Sequence, residues 1–286
     1  MKNLITSLFL CVTVTLFSQA NFQGKAVYQS KTTVDMSSWG NGSMSEERKK
    51  QIMKRMKSML EKTYVLSFTR NESTYKEEAK LGAPGSRGFR FGGFGGSGTK
   101  YKNVKEGKLL ESTESFGKKF LITELAEKPK WELGSETKQI GNYTCFKATL
   151  IKETDATDWR NMRRRRNRKS DKKKDTTNTK KVSEEIEMPK TILVTAWYTP
   201  QIPVSDGPSN YWGLPGLILE INEGRTTILC SEIVMNPTEK VEIKAPTKGK
   251  KVTRKEYAKI MKKKMEEMRE MFRNRRGGRS GGRGRF

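Results

Sequence analysis

The sequence predicts a mainly β chain of the α+β kind: a single antiparallel, curved sheet with two amphipathic helices packed on it. Short β-forming runs recur with turn residues between them, and helical periodicity is confined to one early and one late stretch. Helices segregated in this way belong to an antiparallel layout rather than to alternating strand–helix–strand units.

The first strand is Gly24 to Val34, alternating in its first half. Ser43 and Glu46 have the spacing of a capping box, opening a helix that runs to Lys62 with Ile52, Met56, Met59, Leu60 and Thr63 on one face. Tyr64 to Phe68 is a strand, and Ser73-Thr74-Tyr75 starts its hairpin partner. Further strands are expected at Thr99–Val104, Lys108–Ser112, Lys119–Thr123, Trp131–Leu133 and Gly141–Lys152. Thr191 to Tyr198 is a nearly continuous apolar β-former and reads as a central strand. Leu217–Asn222 and Arg225–Val234 follow, with a tight turn at Glu223-Gly224. Lys251 to Arg273 forms the second helix, with Tyr257, Met261, Met265, Met268 and Phe272 on one stripe.

The two ends and the inserts differ from this body. Lys2, the uncharged apolar run Leu4 to Phe17 and the small residues of Ser18-Gln19-Ala20 read as a cleaved signal peptide. The apolar run is shorter than the roughly 20 residues a spanning helix needs, so no transmembrane segment is expected in the mature chain. The organisation is therefore a signal peptide at 1–20 and a β-rich domain at 21–250. The domain carries inserts near 82–98, glycine-rich, and 157–181, arginine- and lysine-rich, both expected to be disordered. The late helix at 251–273 and a disordered Gly/Arg tail at 274–286 follow.

The net charge is +26 and the 286 residues include no histidine. The absence excludes serine–histidine and cysteine–histidine catalysis, histidine metal ligands and a histidine pH switch. The charge favours polyanionic partners, and in an exported chain these are an anionic envelope surface such as lipopolysaccharide or an acidic glycan. Export argues against nucleic acid, although the arginine tracts would suit it.

Residues 213–218 read Gly-Leu-Pro-Gly-Leu-Ile. Ala196 to Pro208, Tyr211-Trp212 and Leu219 to Asn222 flank them, and weaker similarity covers Gly24–Tyr28, Tyr64–Phe68 and Trp131–Thr149. This ordered set resembles the GLPGLI family, exported proteins of Bacteroidota with no characterised function. The inserts and the late helix with its tail have no counterpart in the resemblance and inherit nothing from it.

The signature block is punctuated by Pro200, Pro203, Pro208 and Pro215, which fix φ, and by Gly207, Gly213 and Gly216, which free it. Two readings of this stiff connection stand. It is the edge of a ligand-binding site made by Trp197, Tyr198, Tyr211, Trp212, Gly213, Pro215 and Gly216, or it is a corner of the fold plugged by the same aromatics. Asp206 and Glu220 are the block's only acids; a histidine-free enzyme would need them to converge with a lysine, and the spacing does not require it. No catalytic residue and no cofactor are expected.

Met53, Met56 and Met59 on the first helix, and Met265, Met268 and Met271 on the second, are spaced three apart. Thioethers so arranged could hold Cu(I), line a groove for a small apolar ligand, or pack as ordinary helix faces. Cys145 and Cys230 remain after signal removal, and an oxidising compartment invites a disulfide between them. The reading is an exported binding or interaction protein of the periplasm or outer membrane, not an enzyme. The alternative is a carrier or chaperone acting through its methionine-rich helices.

Overall fold

The computed structural model describes residues 22–34, 45–78, 98–125, 127–153 and 191–277. The expected signal peptide, the glycine-rich insert up to residue 97, the basic insert and the tail beyond residue 277 lie outside the described residues. The chain divides into two compact units, Met1–Leu150 with Leu193–Lys250, and Ile151–Ile192 with Lys251–Phe286.

The first unit is built on one sheet. Its strands are β1 (Gln23–Thr32), β2 (Glu61–Thr69), β3 (Glu72–Glu77), β4 (Thr99–Asn103), β5 (Lys108–Ser115), β6 (Lys118–Leu125), β7 (Glu132–Ile140), β8 (Tyr143–Glu153), β9 (Thr191–Thr199), β10 (Leu217–Glu223) and β11 (Thr226–Met235). A short β12 (Lys250–Val252) begins at the unit's last residue. The strands lie in the order β6-β5-β4-β3-β2-β1-β11-β10-β9-β8-β7, so β9 is internal, as its apolar run predicts. Every pairing of known register is antiparallel, and the chain is mostly β with two helices.

Alternation sets the faces. On β1, Ala26 and Tyr28 are buried; they sit opposite Leu66 and Tyr64 of β2, and Leu66 sits opposite Tyr75 of β3. These residues join Phe68, Val194, Ala196, Leu217, Ile221 and Ile228 in the main core. A second small cluster, Tyr101, Leu110 and Leu121 with Ile243 against it, gathers side chains of β4, β5 and β6.

Several element ends differ from expectation. Helix α1 spans Glu46–Leu60, and its cap is Ser45, whose Oγ accepts from the Arg48 amide; Ser43, expected to form a capping box with Glu46, lies outside the described residues. It stops at Leu60, short of Lys62, because Glu61 and Lys62 are taken into the ladder opposite Lys31 and Ser30. Thr63, expected on the helix face, is therefore a strand residue. Strand β7 is three times longer than the Trp131–Leu133 run suggested, since its polar residues are an edge strand hydrogen-bonded to β8. Gly141, at φ 57°, lies in the two-residue turn between these strands, so β8 begins at Tyr143.

The second unit contains α2 (Arg254–Gly277). Thr253 and Glu256 form a reciprocal capping box: Thr253 Oγ1 accepts from the Glu256 amide at 3.2 Å, and Glu256 Oε2 accepts from the Thr253 amide at 2.8 Å. Met261 on the expected stripe is buried, and Tyr257, Met265 and Met268 are partly so. Among the described residues, no helix is long and apolar enough to cross a membrane.

Candidate functional site

The connection from β9 to β10 is folded as part of the core. Ile202, Val204 and Leu214 are all buried in the main cluster. Its backbone is satisfied internally: Leu217 N donates to Ile202 O at 3.0 Å, Ile218 N to Asp206 O at 3.0 Å and Gly213 N to Ser205 O at 3.2 Å. Gly213 has φ 95°, which an L side chain rarely adopts. Gly216 has φ 156°, and a Cβ there would lie 2.1 Å from the Thr199 carbonyl oxygen. Leu214, Leu217 and Ile218 are buried, while Pro215 is exposed and fixes φ between the two glycines.

Strand β4 supplies the cations that receive this loop. Period-2 alternation puts Tyr101 in the second cluster, with its hydroxyl donating to Glu72 at 2.8 Å, and turns Lys100 and Lys102 the other way. Lys100 Nζ donates to Ser209 Oγ at 2.9 Å, and Ser209 holds a left-handed φ of 56°. Lys102 Nζ contacts the Asp206 carboxylate directly, and the two side chains are 1% and 2% exposed. It also donates to Gly207 O at 2.5 Å and Tyr211 O at 3.3 Å, while the Gly207 amide donates to Asp206 Oδ1 at 2.6 Å. Burial pulls Lys102 below the ordinary lysine value, and Asp206 opposes that shift.

The aromatics of the signature are mostly inside. Tyr198, Tyr211 and Trp212 are buried, and Trp197 is half-buried. Trp131 seals the opposite side of the loop, its Nε1 donating to Trp212 O at 2.8 Å and its ring 6.1 Å from that of Tyr211. Tyr28 rises from β1 to donate to Ile218 O at 2.7 Å. Burial, then the charge and hydrogen bond of Glu223, raises the Tyr211 hydroxyl; burial, then Cys230 and Asp206, raises Tyr28.

Both acids of the signature block meet a lysine, but not the same one. Glu220 accepts from Lys138 of β7 at 2.6 Å and from Asn222 Nδ2 at 2.7 Å, and the Lys138 ammonium stands 5.5 Å from the centre of the Trp197 ring. Cys145 and Cys230 are free, buried thiols; β9 and β10 lie between their strands, and burial is the main cause lifting them to about 11 and about 12. Met53 and Met56 belong to the first unit and Met265, Met268 and Met271 to the second, with Met271 63% exposed; the Met59 side chain lies outside the described residues. Among the described residues, no group of three or more carboxylate or cysteine side chains is arranged to hold a metal ion.

Chemically, the site joins an amine, a carboxyl and three backbone dipoles away from water. Lys102 carries no motif, and its only signal in the sequence is a place two residues from Lys100 in a short β run. That signal became legible only when β4 was seen to bury both of its faces.

Residues 131–220 match the family model described as a protein of unknown function, Porph_ging. No curated protein matches the chain. Two solved structures of PNGF-II, in C2 and P21 space groups, align at 12% and 13% identity with TM-scores of 0.45 and 0.44. The alignments cover 84% of this chain and 33% of each PNGF-II chain, so this chain spans about a third of their length. A likeness at that level carries no argument about activity. Across residues 131–220, the stretch that holds Asp206 and the Gly-Leu-Pro-Gly-Leu-Ile run, the chain is similar to the Porph_ging family.

Proposed function

We propose that this is an exported, non-enzymatic binding or interaction protein whose basic surface meets anionic envelope components, lipopolysaccharide or acidic glycan. The observation that carries the reading is the net charge of +26 set against where the charges lie. The two acids of the signature block are already paired with lysines, whereas Lys25, Lys31, Lys50, Lys54, Lys118, Lys119 and Lys128 are exposed. A surface of that balance attracts polyanions at range and releases them in salt. The plugged signature loop then serves as scaffold, holding the sheet's shape while the surface binds.

The reading includes a curved sheet. Lys138 and Glu220 bond at 2.6 Å although β8 and β9 lie between their strands, roughly 14 Å apart at flat-sheet spacing. Bending toward that face brings two side chains of ordinary length together.

The test is sedimentation of the chain with lipopolysaccharide-bearing vesicles and with neutral vesicles across increasing sodium chloride. Binding only to the anionic vesicles, falling steeply with salt, is the expected result. Equal retention on both, or none on either, overturns the proposal.

A further inference from the structure

The Lys102–Asp206 contact has the parts of a condensation reaction. Both side chains are almost wholly excluded from solvent, in a region also occupied by Tyr28, Phe68 and Ile218, and they touch. A neutral amine has two N–H bonds and one lone pair. Gly207 O and Tyr211 O accept two N–H bonds from Lys102, which leaves the third position of the nitrogen directed at Asp206. On the carboxyl side, Lys102 Nζ and the Gly207 amide both meet Oδ1, so Oδ1 is the oxygen placed to take the lysine proton and to leave.

We propose that Lys102 and Asp206 condense into an intramolecular isopeptide bond between Lys102 Nζ and Asp206 Cγ, closing a covalent ring between β4 and the signature loop. The ammonium first passes a proton to the carboxylate, giving the amine and the acid; exclusion of water favours that neutral pair. The nitrogen lone pair then forms the bond to Cγ, the negative charge of the tetrahedral centre falls on Oδ2, and the protonated Oδ1 stays held by the Gly207 amide. The C–OH bond breaks, the hydroxyl takes one hydrogen from the nitrogen, and one water leaves. Nothing is oxidised or reduced, and no co-reactant is needed. The low folded-state basicity of Lys102 supports the first step. Fixed contact between the partners replaces a bimolecular encounter with an intramolecular one.

The neighbouring amide offers a rival reaction. Gly207 N could itself attack Asp206 Cγ to give a succinimide, which also loses one water, so mass alone does not decide. The experiment is intact-mass measurement followed by tryptic mapping of the folded full chain, with any N-terminal processing read from the same map. The expected result is a chain lighter by one water and no cleavage after Lys102. A branched peptide should join Tyr101–Lys105 to the peptide Thr191–Arg225. Lys102→Arg keeps a cation but cannot condense, and its mass is expected to equal its sequence. Separate, unmodified Tyr101-Lys102 and Thr191–Arg225 peptides overturn the proposal. So does a lost water traced to Asp206-Gly207 with Lys102 still cleaved. Vesicle binding reports on the surface and is independent of this result.

Discussion

Two lysine–carboxylate pairs tie distant parts of the sheet unit together, one from strand to loop and one from strand to strand, and they differ mainly in water. Lys102 and Asp206 are 1% and 2% exposed, with every N–H position of the lysine facing an oxygen. Lys138 and Glu220 are 42% and 9% exposed, and the lysine rests over the Trp197 ring. The Lys138 ammonium keeps solvent on one side, so its attraction is screened and contributes little. The Lys102 ammonium has no solvent to return to, so removing its partner leaves a charge stranded in the core. The same two functional groups are thus a surface tether in one place and a keystone, with its own chemistry, in the other.

Asp206→Ala breaks the comparison most strongly. It is expected to cost about 3–5 kcal/mol in denaturant unfolding, because it leaves the lysine buried without its partner. Gly216→Ala tests the loop that shields the pair. Its Cβ would meet the Thr199 carbonyl at 2.1 Å, so a loss of about 1–3 kcal/mol is expected. Gly224→Ala is the control: φ is 58° but no atom lies within 4 Å of the new Cβ, and about 1 kcal/mol is expected.

Alkali sharpens the contrast from the tyrosine side. Tyr28, Tyr75 and Tyr211 are raised above the ordinary value of 10.0, chiefly by burial, so the folded state keeps protons the unfolded state releases. Their contribution is complete below pH 10 and is lost as pH rises above it, at about 1.4 kcal/mol per pH unit for each phenol. Tyrosinate absorbance from these residues is expected to rise together with loss of the β circular-dichroism signal; absorbance that rises first would place the phenols in solvent. The smallest effect is Lys138→Ala, expected to cost no more than about 1 kcal/mol and to fade in high salt, read as a shift in unfolding midpoint.

Much of the β body was legible because its signals are local. Alternation located β1, and the apolar run at Thr191–Tyr198 marked an internal strand. Glu223-Gly224 marked the β10–β11 turn, where Gly224 takes a left-handed φ. The element ends were not legible, because ladder bonds compete with helix capping: Glu61 and Lys62 could extend α1 or pair with β1, and pairing prevails. Strand β7 was mostly missed because an edge strand carries little apolar pattern.

The sequence by itself determined the charge, the absence of histidine chemistry, the β-rich class and the proline–glycine stiffness of the signature. These depend on composition and on neighbours a few residues apart. Only the tertiary structure decided that Asp206 faces Lys102, that Glu220 faces Lys138, and that three of the signature's four aromatics are buried. The partners in the first pair are 104 positions apart, and sheet order, not spacing along the chain, brings them together. Burial then sets what a contact means, since the same ammonium and carboxylate are screened in water and strongly coupled without it.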